Sequence, residues 1–244
     1  MRGDESNKSL TKHKRKLTPG KIVLVCFIAL ALVLAATVAV AYLRYVYPTG
    51  EIVRDIFAIR THRNGIPMGN LFLIRAGDKY IAVDAGADNT ETENGLRKLG
   101  ISASDVAAVF ITHSHWDHIE SLDLFSSAAI YTGAIDSSEF PDIAHQIIPD
   151  GETIEVSGLA VQCFYTPGHT IDSVCYLING KYLFVGDLFV STNDPPPPNP
   201  RRYDKDLQLE YRKKMLALNG VEYVFTGHFG LFKSIRFFQL TYPI

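Results

Sequence analysis

The sequence predicts an α/β domain that follows one membrane-spanning helix. Residues 22–43 form a long apolar run without a charge. From about Ile52 onward, short strand-like runs alternate with helical patterns and Gly-containing turns. Five of the eight histidines follow predicted strands, and strand ends are where loops commonly build functional sites.

The composition is that of a globular protein with one added apolar segment. The chain has 244 residues, of which 47% are hydrophobic and 20% are charged. This length allows one sizeable domain with short appendages. The formal net charge of -2 creates no field that would attract nucleic acid, so we expect no nucleic-acid partner.

Residues 22–43 are long enough to cross a bilayer, which takes roughly 20 apolar residues. A buried core helix would carry a polar stripe, and this run has none. Seven basic residues but only two acidic ones precede it. The positive-inside rule therefore predicts a basic cytoplasmic tail (1–21), a transmembrane signal-anchor (22–43) and a domain outside the cytoplasm (44–244), in a single-pass protein of the cell membrane.

A cleaved signal peptide is the alternative for this segment. Residues 39–41, "AVA", resemble a small-residue cleavage site. The apolar run is longer than the usual signal-peptide core of about 7–15 residues, which favours the retained anchor. Cys26 lies inside the run, whereas Cys163 and Cys175 belong to the outer domain. Their pairing and their burial as free thiols both stay open.

The first half of the outer domain reads as strands followed by a helix and a further strand. Alternating and apolar runs predict strands over 51–59, 69–75, 79–86 and 106–112. Residues 88–100 predict a helix closed by Gly100. Another helix is expected to begin soon after His118, with Ile119 and Leu122 on its apolar side.

The second half repeats this alternation. Residues 158–165 predict a strand, and 173–178 and 182–187 predict a hairpin through an "NGK" turn. Apolar side chains at helical spacing predict a helix over 204–219, with a further strand at 221–225. His113, His169, Asp187 and His228 each follow such a strand.

The segment "THSHWDHIES" (112–121) concentrates metal-ligand side chains. In a tight turn alternate residues point the same way, so His113 and His115 can share one ion while Asp117 and His118 face a neighbouring position. His169 and His228 can add one nitrogen to each ion, and Asp187 can bridge both. Imidazole and carboxylate ligands suit zinc, and also iron or manganese. The remaining histidines, His13, His62 and His145, are expected on the surface.

The motifs "HSHWDH", "TPGHT", "GDLF" and "TGH", in this order, resemble the metallo-β-lactamase superfamily over about residues 52–230. The resemblance implies an αββα sandwich with the site at one edge between two sheets. It assigns the first metal to His113, His115 and His169, the second to Asp117, His118 and His228, and the bridge to Asp187. Asp84, in "AVDAGAD", is either an orienting partner of a ligand histidine or a turn residue, and Thr112 and Thr170 carry the same two alternatives.

The expected function is metal-dependent hydrolysis of an ester-like bond in a small-molecule substrate, such as a lactone or thioester. Two Zn²⁺ ions would supply a metal-bound hydroxide, because coordination lowers the pKa of water from about 15.7 toward 7. Asp117 or Asp187 would transfer the proton. A mononuclear-iron sulfur dioxygenase of the same fold and a membrane-tethered binding module that retains its metals are the alternatives.

Departures from known branches of the superfamily narrow the substrate. Asp187 argues against β-lactam hydrolysis, because the β-lactamases of this superfamily lack a bridging aspartate and carry a Cys or Ser nearby instead. Only sixteen residues follow His228, which disfavours the helical glutathione-binding domain of glyoxalase II enzymes. Residues 61–70 form either an apolar lid with Ile66 and Met68 or a plain turn. The proline-rich stretch 191–202 forms a pocket wall, a docking segment or a spacer.

Overall fold

The computed structural model describes residues 18–45, 48–133, 140–189, 204–228 and 230–233. The chain divides into two compact units, Met1–Arg44 and Tyr45–Ile244. Helix α1, Pro19–Tyr45, belongs to the first unit except for its last residue. Its side chains over residues 19–37 are exposed, and Pro19–Thr37 is long and apolar enough to cross a membrane. A signal sequence has the same properties, so the anchor stays a prediction.

The second unit contains two sheets. The described strands of the first sheet are, in spatial order, β1 (Gly50–Val53), β2 (Ile56–Arg63), β3 (Ile66–Ala76), β4 (Lys79–Val83), β5 (Val106–Phe110), β6 (Ala129–Thr132) and β7 (Gln146–Ile147). Neighbours from β1 to β4 pair antiparallel, and those from β4 to β7 pair parallel. Consecutive strands are therefore adjacent throughout this sheet.

The second sheet runs in the order β13-β12-β11-β10-β9-β8. Its strands are β8 (Thr153–Val156), β9 (Leu159–Tyr165), β10 (Val174–Ile178), β11 (Tyr182–Phe184), β12 (Tyr223–Thr226) and β13 (Gly230–Lys233). All of its neighbours pair antiparallel except β11 and β12, which are parallel. Strands β9, β11 and β12 consequently point in one direction, and their carboxyl ends lie at the same edge.

The two sheets pack face to face around an aromatic core. Phe72 of the first sheet contacts Phe184 and Phe225 of the second, with both pairs of ring centroids 5.5 Å apart. Phe184 and Phe225 stack on each other at 4.4 Å. Edge-to-face and offset aromatic contacts contribute about 0.5–1.5 kcal/mol each beyond their burial.

A helix covers the outer face of each sheet. Helix α2 (Asn89–Leu99) buries Leu96 among outward-facing residues of the first sheet. Helix α4 (Lys205–Leu216) buries Met215 and Leu216 against the second. The four layers form the predicted αββα sandwich, so the fold class is confirmed.

The predicted helix boundaries follow from capping chemistry. Asp88 and Asp204 lie at the amino ends of α2 and α4, where each carboxylate accepts a backbone N–H of the first turn. Gly100 ends α2 in the left-handed region at φ 69°, which glycine adopts without steric cost. Gly95, inside α2, lies so close to Ile59 of β2 that a side chain would overlap it.

Two details of the predicted elements are wrong. Residues 51–59 form not one strand but the β1–β2 hairpin, which turns at Asp55 with φ 65°. The helix expected after His118 instead begins earlier, as the short turn α3 (Trp116–Ile119), and a 3-10 turn over Leu122–Phe125 follows it. His118 therefore lies within a helical turn and not, as predicted, in the segment that precedes a helix.

The two cysteines of the second unit are free thiols. They lie on adjacent strands but face opposite sides of the sheet, Cys163 toward the core between the sheets and Cys175 toward α4. Burial raises the pKa of each thiol to about 12. Their geometry therefore decides the question that the sequence leaves open, in favour of unpaired thiols.

We predict that both thiols resist alkylation in the folded protein. A thiol with a pKa of about 12 is ionised in roughly 1 of 10,000 molecules at pH 8. Iodoacetamide treatment of a Cys26→Ser variant, followed by peptide mass spectrometry, should label both cysteines only after unfolding in guanidinium. A disulfide-linked peptide, or rapid labelling of the native protein, would contradict this.

Candidate metal centre

The site lies at the edge where strand ends of both sheets meet. The segment after β5 carries His113 to His118, and the turns after β9, β11 and β12 carry His169, Asp187 and His228. Among the hydrogen bonds that join the sheets here, Val174 N–H donates to the Thr112 carbonyl at 2.8 Å, and the Tyr176 hydroxyl donates to the Ile111 carbonyl at 2.9 Å. The residues that the sequence predicts as ligands therefore converge.

A first group comprises three imidazoles and a carboxylate. The Nδ1 atom of His115 lies 3.1 Å from Nε2 of His113 and 3.0 Å from Nε2 of His169. Asp187 Oδ2 lies 3.3 Å from His169 Nε2 and 4.0 Å from His113 Nε2. Each of the four residues offers one ligand atom, and these atoms lie within 4.8 Å of one another.

A second group comprises Asp117, His118 and His228. His228 Nε2 lies 3.4 Å from Asp117 Oδ2. Asp187 contacts this group too, with Oδ1 at 3.4 Å from His118 Nε2 and Oδ2 at 3.2 Å from His228 Nε2. The carboxylate of Asp187 thus lies between the two groups, as a bridging ligand requires.

The donor set fits metal ions better than it fits protein hydrogen bonds alone. His118 Nε2 and Asp187 Oδ1 are buried and, apart from their mutual contact at 3.4 Å, have no hydrogen-bond partner among the described residues. Buried polar atoms are normally satisfied. Nitrogen and carboxylate oxygen are common ligands of zinc and similar divalent ions, so the cluster supports a metal cofactor.

Asp84 supports two histidines from behind. Its Oδ2 accepts from His118 Nδ1 at 2.8 Å, and its Oδ1 accepts from Thr112 N–H at 2.8 Å. The Thr112 hydroxyl lies 3.0 Å from both Asp84 oxygens and 3.1 Å from His113 Nδ1. Such contacts leave Nε2 of both imidazoles available to a metal.

Asp84 therefore has both of the roles that the sequence offered as alternatives: it is a turn residue and it is the partner of a predicted ligand histidine. It is a turn residue, with φ 59° in the left-handed region, and the turn directs its carboxylate to the histidines. Thr170 differs from Thr112, because its hydroxyl pairs with Ser173 at 2.6 Å rather than with a ligand. Its place is in the turn that carries His169.

Burial controls the protonation of the histidines in the first group. Burial, reinforced by neighbouring histidines, lowers the pKa of His113 well below its usual value and that of His169 to about 4, against the attraction of Asp187. Although burial alone raises the pKa of Asp187, His228 and His118 hold it well below its usual range. His113 and His169 thus offer neutral imidazole and Asp187 offers an ionised carboxylate, the forms that bind metals.

The β2–β3 hairpin, which includes residues 61–70, contacts the metal-ligand segment. The Arg63 guanidinium lies 4.6 Å from the centre of the Trp116 ring, and the backbone of Gly69 lies against the Asp117 carbonyl so closely that a side chain would overlap it. Ile66 is 59% exposed at the tip, and Met68 is half-buried. The proline-rich stretch 191–202 lies outside the described residues.

The other predicted surface histidines have different outcomes. His145 is exposed, as predicted. His62 is half-buried, and its Nδ1 lies 3.1 Å from Glu91 Oε2, so it contacts a neighbouring side chain instead of facing solvent alone. His13 lies outside the described residues.

Two supporting residues escape the sequence patterns. Asp172 is buried and accepts from the Ser114 N–H at 2.8 Å, which ties the "HSHWDH" segment to the turn after β9. Gly227 lies against the Asp187 carboxylate, and a Cβ there would also lie 2.8 Å from His118 Cε1. Gly227 directly precedes the predicted ligand His228, and this position is the only hint in the sequence of its role. No local sequence feature indicates the role of Asp172.

Comparison with known proteins agrees with this geometry. The profile of the metallo-beta-lactamase superfamily matches residues 65–228. The chain belongs to this superfamily. The crystal structure of MEM-A1, a subclass B3 metallo-beta-lactamase from a soil metagenome library, has the same fold, with a TM-score of 0.59 and 18% identity over 76% of this chain and 81% of that one.

Two relatives of this chain have names that describe them as hydrolases. The probable polyketide biosynthesis zinc-dependent hydrolase BaeB of Bacillus velezensis is 32% identical over 46% of this chain and 51% of its own. The hydroxyacylglutathione hydrolase of Chromohalobacter salexigens is 29% identical over 71% and 67%, respectively. The match spans only 38% of the lactamase-like protein adaB of Aspergillus niger.

We predict that Gly227→Ala lowers the metal content of the purified protein. The added methyl group would overlap the Asp187 carboxylate and displace it or His118. Gly50→Ala is the matched control, because the nearest atom to its Cβ is the Pro48 carbonyl oxygen at 3.8 Å. Elemental analysis after dialysis should show less metal for the first variant and the wild-type content for the second. Equal metal in all three proteins would disprove the expectation.

Proposed function

We propose that this chain is a metal-dependent hydrolase that cleaves an ester-like bond at a two-ion centre. The observation that carries the proposal is the pair of ligand groups that share Asp187. The names of two relatives, a zinc-dependent hydrolase and a hydroxyacylglutathione hydrolase, support it. Zinc is the proposed metal, because imidazole nitrogens and carboxylate oxygens suit it and one relative is named as zinc-dependent.

Each ligand has a proposed part in holding the centre. His113, His115 and His169 would hold the first ion, and Asp117, His118 and His228 would hold the second. Two such ions, when bound, would supply hydroxide at neutral pH and polarise the substrate carbonyl. Asp187 lies between the two groups, with Oδ2 near His169 and His228 and Oδ1 near His118, and would bridge the two ions.

Asp117 is the better placed of the two carboxylates for proton transfer to the leaving group. Its side chain is 13% exposed, whereas that of Asp187 is 5% exposed. Asp187 Oδ1 and Oδ2 both face ligand histidines. A group that exchanges protons with substrate needs an accessible oxygen, which favours Asp117, while Asp187 remains a structural bridge.

The proposed substrate is a small molecule with an activated carbonyl, such as a lactone or a thioester. An acylglutathione, the substrate type in the name of one relative, has such a bond. Trp116 and the β2–β3 hairpin adjoin the ligand segment and would contact the substrate beside the ions. Their apolar surface, which includes Ile66, suits an apolar acyl group.

Replacement of a ligand should remove both metal and activity. We expect His169→Ala and Asp187→Ala to reduce hydrolysis below detection and to lower the metal content, because each removes a contact that no neighbouring residue can restore. His145→Ala removes an exposed histidine and serves as the control. Metal content is measured by elemental analysis, and turnover on a panel of thioester, lactone, β-lactam and phosphodiester substrates.

The same measurements separate the competing functions. Two zinc ions per chain together with turnover support hydrolysis. One iron with thiol-dependent oxygen uptake would support the dioxygenase instead. Bound metal without turnover on any substrate would support a binding module. Full turnover by a metal-free preparation would refute the proposal.

We further propose that α1 anchors the hydrolase in the membrane with its catalytic domain outside the cytoplasm. The length of Pro19–Thr37 and its exposed apolar side chains support this, as does the basic segment before it. Cytosolic thioesters would then be poor substrates, and extracellular esters or lactones better ones.

Protease protection should reveal this topology. We expect external protease to digest the catalytic domain on intact cells and to leave an amino-terminal tag intact. A chain without residues 22–43 is the control and should be protected inside the cell. Mass measurement of the mature protein separates the anchor from a cleaved signal, and protection of the full-length catalytic domain would refute the proposed orientation.

A further inference from the structure

The start of helix α4 contacts the turn that carries His169. Asp204, which caps the helix, donates its N–H to the Gly168 carbonyl at 2.9 Å. Gly168, at φ +144°, lies so close to Gln208 that a Cβ would come within 2.6 Å of Gln208 Cβ. The helix and the "TPGHT" turn therefore fit together without space for a side chain.

The Gln208 side chain also reaches the turn that carries Asp187. It is fully buried, and its Nε2 lies 3.3 Å from the carbonyl of Asp187 and 3.0 Å from that of Leu188. Both partners are acceptors, so the amide must present its NH₂ group to them. One side chain thus ties down the two peptide groups that follow the Asp187 Cα atom.

Arg212, one helical turn further, reinforces this contact. Its Nε donates to the same Leu188 carbonyl at 2.7 Å, and its guanidinium lies 5.2 Å from the centre of the Phe189 ring. A buried amide and a buried guanidinium are costly to remove from water. Their direction toward the backbone of one short turn indicates that the position of this turn matters.

The backbone before Asp187 is held from the opposite side. Val185 N–H donates to the Phe225 carbonyl, and Gly227 N–H donates to the Gly186 carbonyl, both at 2.9 Å. Gly186 itself adopts φ +46° and lies against Thr112. The Asp187 Cα atom is therefore restrained upstream by β12 and its turn, and downstream by α4.

We infer that Gln208 is a positioning residue for the bridging carboxylate of Asp187. The amide holds the turn where the two carboxylate oxygens reach both ligand groups, at 3.3 Å from His169 and 3.4 Å from His118. Without it the turn relaxes and the carboxylate loses one of the two groups. The inference rests on the proposed two-ion function and adds a residue that touches neither metal nor substrate.

The test measures the affinity for each ion rather than activity alone. Gln208→Met keeps the length of the side chain and removes its donors, and Gln208→Glu replaces the donors with acceptors. In Co²⁺ titrations followed by visible absorption, we expect both variants to bind the weaker ion at least about tenfold less tightly, as for other changes behind metal ligands. The tighter ion and the far-ultraviolet circular dichroism should stay close to wild type.

Two control variants separate positioning from general stability. Gln162→Met, on half-buried β9, removes an amide that bonds to the Gly151 carbonyl. Met215→Ala removes packing between α4 and the second sheet, where the Met215 side chain is buried. We expect the first to leave both ions unaffected and the second to lower the melting temperature while both ions still bind.

The possible outcomes distinguish the inference from the function on which it rests. Unchanged affinity for both ions in Gln208→Met would overturn the inference, as would an equal loss of the weaker ion in Met215→Ala. A wild-type protein that binds fewer than two Co²⁺ ions would instead refute the two-ion function. If Gln208→Met does not fold, Gln208→Asn, whose shorter amide cannot reach both carbonyls, is held to the same tenfold criterion.

Discussion

The structure of the second unit depends on one buried carboxylate placed among imidazoles. Asp187 is 6% exposed, and an isolated carboxylate in such a place is strongly disfavoured unless compensating charge surrounds it. His118, His169 and His228 approach it from three sides. A bound metal ion would supply more of that compensation, so the charge balance that stabilises the carboxylate also favours metal binding.

This requirement explains why the site lies at the edge of the sandwich. Each of the two candidate ligand groups draws on both sheets, since the segment 113–118 follows β5 and the other residues follow strands of the second sheet. Neither sheet can form the centre alone. Ions that bind only the folded arrangement would stabilise it by mass action, so metal binding would also hold the two sheets together at this edge.

The surroundings of Asp187 show how a carboxylate is oriented by its backbone. Gly186 and Gly227 allow close approach of two turns, where any side chain would meet Thr112 or the carboxylate itself. Asp84 restrains His118 from behind, and Gln208 restrains the turn from the outer helix. The precision of the centre therefore comes from residues of both sheets and of helix α4.

The sequence by itself determined the residue types, their local spacing and their order. Periodicity and capping located α2 and α4, and the seven candidate ligands were found from motifs that follow predicted strands. Local patterns failed where distant packing decides: the β1–β2 turn at Asp55, the helical turn that contains His118, and the short strands β6 to β8. Only the tertiary structure could separate Cys163 from Cys175 by a sheet, direct Asp84 to His118, and bring Gln208 to Asp187, because each of these depends on contacts between segments whose approach no local pattern encodes.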